Sequence, residues 1–379
     1  MSNFGLFAAH SAVIAVVLIH HVESVKMIPH PINSLKFRSG HCNDGIAVPS
    51  KAIDAHVVVR SAAECARVCM EHRKCISFNY RRHGEGVNCE LTGWRSHDCS
   101  KLETRLGWKF YLPENPCLNH GKLDIVDNVR VCSCVGAWVG KFCEIRVTDC
   151  ASYIDHGAID DGFHVVFIHP PTADHPFHVR CTFSGKTAYY ILAQRIYDKE
   201  NIPGIFNKTW ADYKYGFRTN SMVFWLGNDK IYHIAHPESR FHSLCFYFVL
   251  NNGSRFCTFY SGFTLSPEEH GYAMTTDHVV KDVVTASCIV NKVDVLNPDK
   301  KPGLRSQGMK FSTYDRDQDQ SDRNCAREFG GGWWYRNCTD LGLTVASMSN
   351  MFWSDVFNNT NNTGPTKIEK MYINLWQSP

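Results

Sequence analysis

The stretch KFSTYDRDQDQSDRNCA (residues 310–326), followed closely by GGGWWYRNC (residues 330–338), decides the fold of this 379-residue chain. It combines alternating aspartates with two cysteines that flank a segment rich in glycine and tryptophan. Upstream, WADYKYGF (residues 210–217) and FWLGND (residues 224–229) have the same aromatic character. Tryptophan accounts for only 9 residues of the chain, so four ordered strings of this kind are not expected by chance.

Taken in this order and at these separations, the four strings resemble the fibrinogen C-terminal domain, over residues 146–379. The resemblance implies an α+β fold with a central antiparallel sheet and long functional loops. It also implies two disulfide bonds, Cys150–Cys181 and Cys325–Cys338. We interpret Trp333 and Trp334 as core residues, because large aromatic side chains usually contribute buried area.

The aspartates favour a cation site. Asp315, Asp317 and Asp319 alternate within five residues, and calcium takes six to eight oxygen ligands, such as carboxylates and main-chain carbonyls. A solvated acidic turn is one alternative, and an EF-hand is another. An EF-hand that begins at Asp317 would place Glu328 correctly, but Asp322 stands where the turn needs glycine.

The fibrinogen resemblance favours calcium over these alternatives. It implies that the ligands are the side chains of Asp317 and Asp319 and the main-chain oxygens of Ser321 and Arg323. We therefore expect Ca²⁺ as a cofactor with a structural role, holding the adjacent loop in place.

The resemblance also places a ligand pocket beside the calcium, shaped by a cis peptide bond that corresponds to Asn337–Cys338. Non-proline cis bonds cost about 3 kcal/mol and persist where the surrounding structure enforces them. The candidate wall residues are Tyr335, Asn337 and Thr339. Members that bind acetylated sugars usually have histidine after that cysteine and supply tyrosines from a later loop, whereas residues 344–350 contain no tyrosine. We expect the location of the pocket to be kept and its specificity to be lost or changed.

The chain contains 17 cysteines, an odd number and a large share for its length. No pair of CxxC motifs, and no CxxC followed by HxxxH, provides the ligand spacing of a zinc site. A disulfide framework is the better interpretation, and it places the protein outside the cytosol.

Residues 1–24 are typical of a secretory signal peptide. Residues 6–19 are mostly apolar, and small residues follow at the position that a signal peptidase reads. A membrane anchor is the alternative, but His10 and Ser11 interrupt a run that would need about 20 apolar residues. Residues 25–41 are then a linker. No later segment is long and apolar enough for a transmembrane helix, so we expect a secreted, extracellular chain.

A group of six cysteines predicts a small stapled module at residues 42–112. The pattern Ser61-Ala-Ala-Glu64 is a capping box, which predicts a helix that starts near Ala62 and an extended segment after it. Six cysteines allow 15 pairings, of which we favour Cys65–Cys89, Cys69–Cys75 and Cys42–Cys99. The helical CxxxC and the string CISFNY resemble the PAN or apple module, whose members bind proteins or carbohydrates through variable loops.

Residues 115–145 are similar to a small EGF-like β-hairpin module with four of the usual six cysteines. Leu123 stands where the family has its third cysteine. The resemblance implies the pairs Cys117–Cys132 and Cys134–Cys143. We interpret this module as a spacer rather than a ligand site.

Three cysteines remain after these assignments: Cys245, Cys257 and Cys288. The segment CFYFVLNNGSRFC (residues 245–257) predicts a β-hairpin, with Cys245 and Cys257 on the same face. A bridge between them would leave Cys288 as the unpaired cysteine. An odd cysteine in a secreted chain is either a buried thiol or the link in a disulfide-bonded oligomer, and the sequence leaves both open.

Asn-X-Ser/Thr sequons occur in the third domain only. We expect surface glycans on Asn207, Asn252, Asn358 and Asn361, and no glycan on Asn337 because of its place in the predicted pocket.

Composition and motifs narrow the function. With 44% hydrophobic residues and a net charge of +3, the chain is neither disordered nor basic enough to indicate nucleic-acid binding. No GxSxG, HExxH or P-loop motif supports catalysis. We predict a secreted, non-enzymatic recognition protein that binds extracellular glycan or protein ligands. Its expected role is lectin-like, of the type used in innate immune recognition. The alternative is an extracellular-matrix or adhesion component without a sugar pocket, and a secreted enzyme is the least favoured.

Overall fold

The computed structural model describes residues 35–39, 45–95, 98–126, 129–196, 204–219, 223–281, 288–290, 294, 296, 305–338, 344 and 368–377. The predicted signal peptide lies outside these residues, as do Cys42, Thr339, Asn358 and Asn361. The predictions made for them therefore stay predictions.

The first module is a sheet covered by one helix. Its elements are β1 (Phe37–Ser39), β2 (Ile46–Ala47), β3 (Ala55–Val57), α1 (Ala62–Glu71), β4 (Ser77–Arg81), β5 (Cys89–Thr92), β6 (Glu103–Thr104) and β7 (Trp108–Pro113), with short 3-10 turns at Ser50–Ala52 and Cys99–Lys101. The sheet order is β3-β5-β4-β7-β2-β6, and β1 also pairs with β7. Helix α1 lies against β4 and β5.

Helix α1 begins where the capping pattern predicts. The Ser61 hydroxyl accepts a hydrogen bond from the main-chain N–H of Glu64 at 3.1 Å. The Glu64 carboxylate in turn accepts one from the N–H of Arg60 at 2.7 Å. The Ser61 half of the capping box is therefore formed and satisfies one otherwise unpaired N–H of the first helical turn, whereas Glu64 contacts the residue before the cap instead of the cap itself.

Disulfides attach this helix to its surroundings. The disulfide Cys65–Cys89 joins α1 to β5, and Cys69–Cys75 joins α1 to the segment that follows it. Both bonds confirm the pairs that were favoured from the sequence. Cys99 is also disulfide-bonded. A module of this size buries little apolar surface, so cross-links that restrict the unfolded chain are an important part of its stability.

The second module consists of two small hairpins, β8 (Lys122–Val126) with β9 (Val129–Ser133), and β10 (Trp138–Val139) with β11 (Ile145–Arg146). The disulfides Cys117–Cys132 and Cys134–Cys143 are present, as the sequence implied. Ala137 and Val139 are buried within the same apolar cluster as the core of the third domain. The module is therefore packed against its neighbour, and its interpretation as a spacer stays a prediction.

The third domain has an α+β fold built on one large sheet. Its elements are α2 (Cys150–Asp155), β12 (Gly162–Ile168), β13 (Phe177–Ser184), β14 (Thr187–Ile196), α3 (Trp210–Tyr215), β15 (Phe217–Thr219), β16 (Val223–Trp225), α4 (Asn228–Ile234), β17 (Phe241–Leu250), β18 (Arg255–Tyr260), β19 (Thr264–Leu265), β20 (Met274–Thr275), β21 (Val279–Val280), β22 (Ile289–Val290), α5 (Cys325–Phe329) and β23 (Ile368–Gln377), with a 3-10 turn at Glu268–His270.

Within the described residues, ten strands form the central sheet, in the order β12-β13-β14-β23-β17-β18-β21 with β15, β16 and β22 attached at its sides. Strand β23, from the far end of the sequence, lies antiparallel between β14 and β17. Every pairing is antiparallel except that of β18 with β22. The expected central antiparallel sheet is therefore confirmed.

The core under this sheet is aromatic. Trp333 and Trp334 are 2% and 3% exposed, which confirms their interpretation as core residues. The Trp334 indole N–H donates to the main-chain oxygen of Tyr272 at 2.7 Å. A Cβ on Gly332 would stand 2.8 Å from ring atoms of both Phe311 and Tyr213, so the absence of a side chain there lets the chain pass between the rings.

The predicted hairpin is formed by β17 and β18, but its cysteines do not pair. Cys245 lies opposite Phe259, and Cys257 lies opposite Tyr247, so the two cysteines are diagonal neighbours, farther apart than a disulfide tolerates. Cys257 is bonded instead to Cys288, across a Cα–Cα distance of 5.9 Å. The prediction that Cys288 is the unpaired cysteine is wrong.

Cys245 is the free cysteine of the described residues, and it is buried. Its side chain is 1% exposed and packs with Phe259 and Trp376. Burial raises the pKa of its thiol, which disfavours the reactive thiolate. A thiol in this position cannot reach a second chain while the sheet is folded, so the structure favours the buried thiol over a disulfide-linked oligomer.

Candidate functional site

The acidic loop, defined as residues 315–324, precedes α5 and the disulfide Cys325–Cys338, which is present as the resemblance implied, as is Cys150–Cys181. Asn324 ends the loop and caps α5, because its side-chain oxygen accepts from the N–H of Arg327 at 2.8 Å. The loop therefore enters a short helix whose first residue is also covalently anchored.

The Asp319 carboxylate organises this loop. One of its oxygens accepts from the N–H of Ser321 at 2.9 Å, and the other accepts from the N–H of Cys325 at 3.0 Å. The Asp317 carboxylate accepts from the N–H of Asp319 at 3.3 Å. Three of the residues implied as ligands, Asp317, Asp319 and Ser321, are thus brought together by hydrogen bonds within one turn of the chain.

The charge of the acidic loop is not balanced locally. Burial raises the pKa of Asp319, and the negative charge of Asp317 raises it further, although the N–H groups that it accepts lower it. The neighbouring cationic side chains have other partners: Arg316 lies near Glu268, and Arg323 pairs with Glu328 at 3.1 Å. Among the described residues, neither aspartate forms a salt bridge.

The donor set fits a hard cation. It offers two carboxylates and main-chain carbonyls, the oxygen ligands that calcium takes. The carbonyl oxygen of Arg323 lies 3.7 Å from the sulfurs of Cys325 and Cys338, so this ligand is held against the disulfide. No cluster of three or more His, Cys, Asp or Glu side chains in the described part of the chain is arranged for a metal, so a cation here would need main-chain or water oxygens.

Asp315 lies outside this donor set. Its carboxylate accepts from the N–H of Trp210 at 2.9 Å and from the Thr313 hydroxyl at 2.7 Å. It therefore satisfies an N–H at the start of α3 and links the acidic loop to the WADYKYGF segment.

One of the residues predicted for the pocket wall is buried in the core. Tyr335 is 0% exposed, and its hydroxyl donates to the main-chain oxygen of Gly331 at 2.7 Å. Tyr335 is therefore a core residue, and the prediction that it lines a pocket is wrong. Asn337 is exposed beside the disulfide.

The peptide bond Asn337–Cys338 is trans, as is every other peptide bond of the described residues. The prediction of a cis bond is wrong. The backbone turns instead at Cys338, which has a φ of 41° and whose N–H lies 2.9 Å from the Cys325 sulfur. The trans isomer is the default because a non-proline cis bond costs about 3 kcal/mol. Here the φ dihedral of Cys338 makes the turn.

A second feature was not predicted from the sequence. A cavity of about 350 Å³ lies between β13, β15, β16 and α4; we call it the cationic cavity. Its lining includes His178, Arg180, Arg218 and Lys230. In the sequence, Arg180 and Arg218 look like ordinary outward-facing strand residues, and no local pattern indicates that they share a cavity.

The described part of the chain contains no helix long and apolar enough to cross a membrane.

Fold and loop together define a class of protein: a disulfide-bonded α+β domain with an acidic loop beside its last disulfide, preceded by a small helix-on-sheet module. Residues 146–362 match the family model for the C-terminal globular domain of the fibrinogen beta and gamma chains. This match covers more than half of the chain, so the chain belongs to that family. Residues 46–115 match the PAN domain, and the EGF-like resemblance of residues 115–145 stays a prediction.

Curated relatives agree with this assignment. The mouse fibrinogen gamma chain is 32% identical over 196 residues, which are 50% of this chain and 43% of that protein. Protein scabrous of Drosophila melanogaster is 30% identical over 52% of this chain and 22% of its own length. Ryncolin-4 of Cerberus rynchops is 29% identical over 52% of this chain and 51% of its own length. The chain thus spans about half or less of the length of these relatives.

Two solved structures align with part of this chain. A lamprey fibrin D-dimer complexed with the peptide Gly-His-Arg-Pro-amide has 23% sequence identity and a TM-score of 0.46, covering 64% of this chain and 77% of that one. The fibrinogen-like globe domain of human ANGPTL2 has 20% identity and a TM-score of 0.45, covering 62% of this chain and all of that one. No enzyme family is among the family models that match.

Proposed function

We propose that this chain is a secreted, non-enzymatic recognition protein whose fibrinogen C-terminal domain binds an extracellular glycan or protein ligand and contains a structural calcium site. The observation that carries the calcium proposal is the pairing of Asp317 with Asp319. These like charges are held close by main-chain hydrogen bonds, and no described cationic side chain neutralises them. Bound calcium would supply that neutralising charge and hold the loop against the disulfide.

The ligands that we propose are the carboxylates of Asp317 and Asp319 and the main-chain oxygens of Ser321 and Arg323. Family membership and the disulfide-rich construction support an extracellular recognition role. Exposure supports glycosylation at Asn207 and Asn252, because both side chains lie at the surface.

Calorimetric titration of the full chain with calcium tests the metal site. We expect binding that is lost in Asp317→Ala and kept in Asp322→Ala, which removes an exposed carboxylate from the same loop. If the two variants bind calcium equally, or if the wild-type chain binds none, the calcium proposal is wrong.

A glycan-array screen with and without EDTA tests the ligand class. Binding to acetylated sugars that requires calcium would support a lectin. The absence of glycan binding under both conditions would exclude a lectin and leave the matrix or adhesion role. A specific observation favours that second role: Tyr335 is buried and the Asn337–Cys338 bond is trans, so two expected features of the acetyl-sugar pocket are not built.

A further inference from the structure

The cationic cavity arises where one strand changes its neighbour. Strand β14 pairs with β13 through Tyr190 and with β16 from Ala193 onward. Its other edge is occupied by β23 along nearly its whole length. Strands β13 and β16 therefore share one edge of β14, one after the other, and the cavity opens where they separate.

Positive charge dominates this cavity. Arg180 and Lys230 are partly buried in its wall, Arg218 lies at its exposed rim, and His178 borders it. The Nε2 atom of His178 is buried without a hydrogen-bond partner among the described residues. No carboxylate of the described part of the chain lines the cavity.

Neither Arg180 nor Lys230 forms a salt bridge with a carboxylate among the described residues. The Arg180 guanidinium lies 3.8 Å from the ring centre of Phe224, and the Lys230 ammonium donates to the main-chain oxygen of Tyr215 at 3.3 Å. Burial and the charge of Arg218 lower the pKa of Arg180 to about 10. Burial also lowers the pKa of Lys230, although Asp229 opposes this effect.

Exposed apolar side chains also lie at the rim of the cavity. Tyr215 and Val165, both in the lining, are 63% and 38% exposed, and Phe163, 6.0 Å from the Arg180 guanidinium, is 54% exposed. Exposed apolar side chains that cluster around a cavity usually mark a ligand site. The cavity thus combines cationic side chains with aromatic and aliphatic side chains at its rim.

We propose that the cationic cavity binds an anionic saccharide, with a carboxylate or sulfate group among Arg180, Arg218 and Lys230 and a sugar ring against Tyr215. Arg180 and Lys230 are partly buried and form no salt bridge among the described residues; burying such cations is costly in the folded protein, and an anionic ligand would reduce that cost. A volume of about 350 Å³ is near the lower end of the range for small-ligand sites, which suits one or two sugar rings better than a peptide chain. An acidic sugar offers an anion next to an apolar C–H face, which matches the arrangement of charges and rings.

The cationic cavity shares no residue with the acidic loop, so the test of this proposal does not depend on the calcium proposal. The test is calorimetric titration of the full chain with glucosamine 6-sulfate and with glucuronic acid, in EDTA. Three comparison ligands are titrated in the same way: N-acetylglucosamine, inorganic sulfate and a Glu/Asp-rich peptide. We expect the acidic sugars to bind, more weakly as salt increases, and N-acetylglucosamine not to bind.

Arg180→Met removes the charge and keeps an apolar side chain against Phe224. We expect it to weaken binding of the acidic sugars by at least about tenfold, the effect of losing one charge-assisted hydrogen bond. Lys186→Met, which removes an exposed charge from the turn before β14, should leave their affinity within about twofold of wild type.

A thermal melt separates this loss from unfolding. Because Arg180 lacks a carboxylate partner, we expect Arg180→Met to melt at or above the wild-type temperature. The proposal is overturned if the acidic sugars do not bind, if Lys186→Met weakens their binding as much as Arg180→Met, or if Arg180→Met melts well below wild type. It is also overturned if inorganic sulfate binds as tightly as the sulfated sugar, or if the acidic peptide binds and the sugars do not.

Discussion

The guanidinium of Arg130, on strand β9 of the second module, donates two hydrogen bonds to the main-chain oxygen of Cys75 in the first, at 3.1 and 2.6 Å. Arg130 is only 8% exposed. It also donates to the carbonyl oxygens at the end of α1, those of Cys69, Met70 and His72. Carbonyls at a helix C-terminus lack partners within the helix and favour a cation, so this contact joins the two modules into one packed unit.

Arg130→Met should therefore destabilise the first module. We expect the free energy of unfolding to fall by about 2–4 kcal/mol, since several buried carbonyls lose their donor. Denaturant unfolding measures the change. Arg146→Met is the matched control, because Arg146 lies on β11 of the same module and is exposed. Equal stability of the two variants would contradict the proposed role of Arg130.

Cys245 should resist alkylation in the native protein. Its thiol is buried and its pKa is raised, so the reactive thiolate is both scarce and inaccessible. Mass spectrometry after iodoacetamide treatment, without reductant, should find Cys245 labelled only when denaturant is present. Labelling of the folded chain, or labelling of Cys288 in place of Cys245, would show that the cysteine assignment is wrong.

Asp317→Asn should change stability in opposite directions with and without calcium. In EDTA the variant should be as stable as wild type or more stable, because it removes the charge that repels Asp319. In excess calcium it should be less stable, because it loses the gain that a bound ion gives the native state. Melting temperatures of the variant and the wild type, measured in EDTA and in excess calcium, test this change of order. A variant that loses the same amount of stability under both conditions would contradict the prediction.

Gly332→Ala should destabilise the third domain by about 1–3 kcal/mol, the cost of forcing an extra methyl group into a packed core. The new Cβ would stand 2.8 Å from ring atoms of Phe311 and Tyr213. Gly93→Ala is the control, because a Cβ there would have no neighbour closer than 3.4 Å. Denaturant unfolding that shows similar losses for both variants would refute this explanation.

Local patterns in the sequence were sufficient for much of the fold. The helix cap at Ser61 and the turn in the predicted hairpin depend on interactions between residues close in sequence, so both could be predicted. The pairs Cys65–Cys89 and Cys69–Cys75 were favoured among 15 possible pairings, and those of the second module were implied by its EGF-like resemblance. Resemblance supplied the remainder: the α+β fold and the bridges Cys150–Cys181 and Cys325–Cys338.

The wrong predictions share a different cause. Whether Cys257 pairs with Cys245 or Cys288 depends on the register of β17 against β18 and on where β22 docks. Whether Tyr335 faces a pocket or the core depends on how Gly331 and Phe329 pack around its ring. Neither is specified by the neighbouring residues.

Composition was enough to predict an oxidising compartment from the 17 cysteines, short-range spacing was enough to find the acidic loop, and family resemblance gave the order of the modules. The folded structure was needed to place Arg130 at the end of α1 and to bring Arg180, Arg218 and Lys230 to one cavity. The physical reason is that these groups are far apart along the chain, and their proximity is set by strand pairing and module packing.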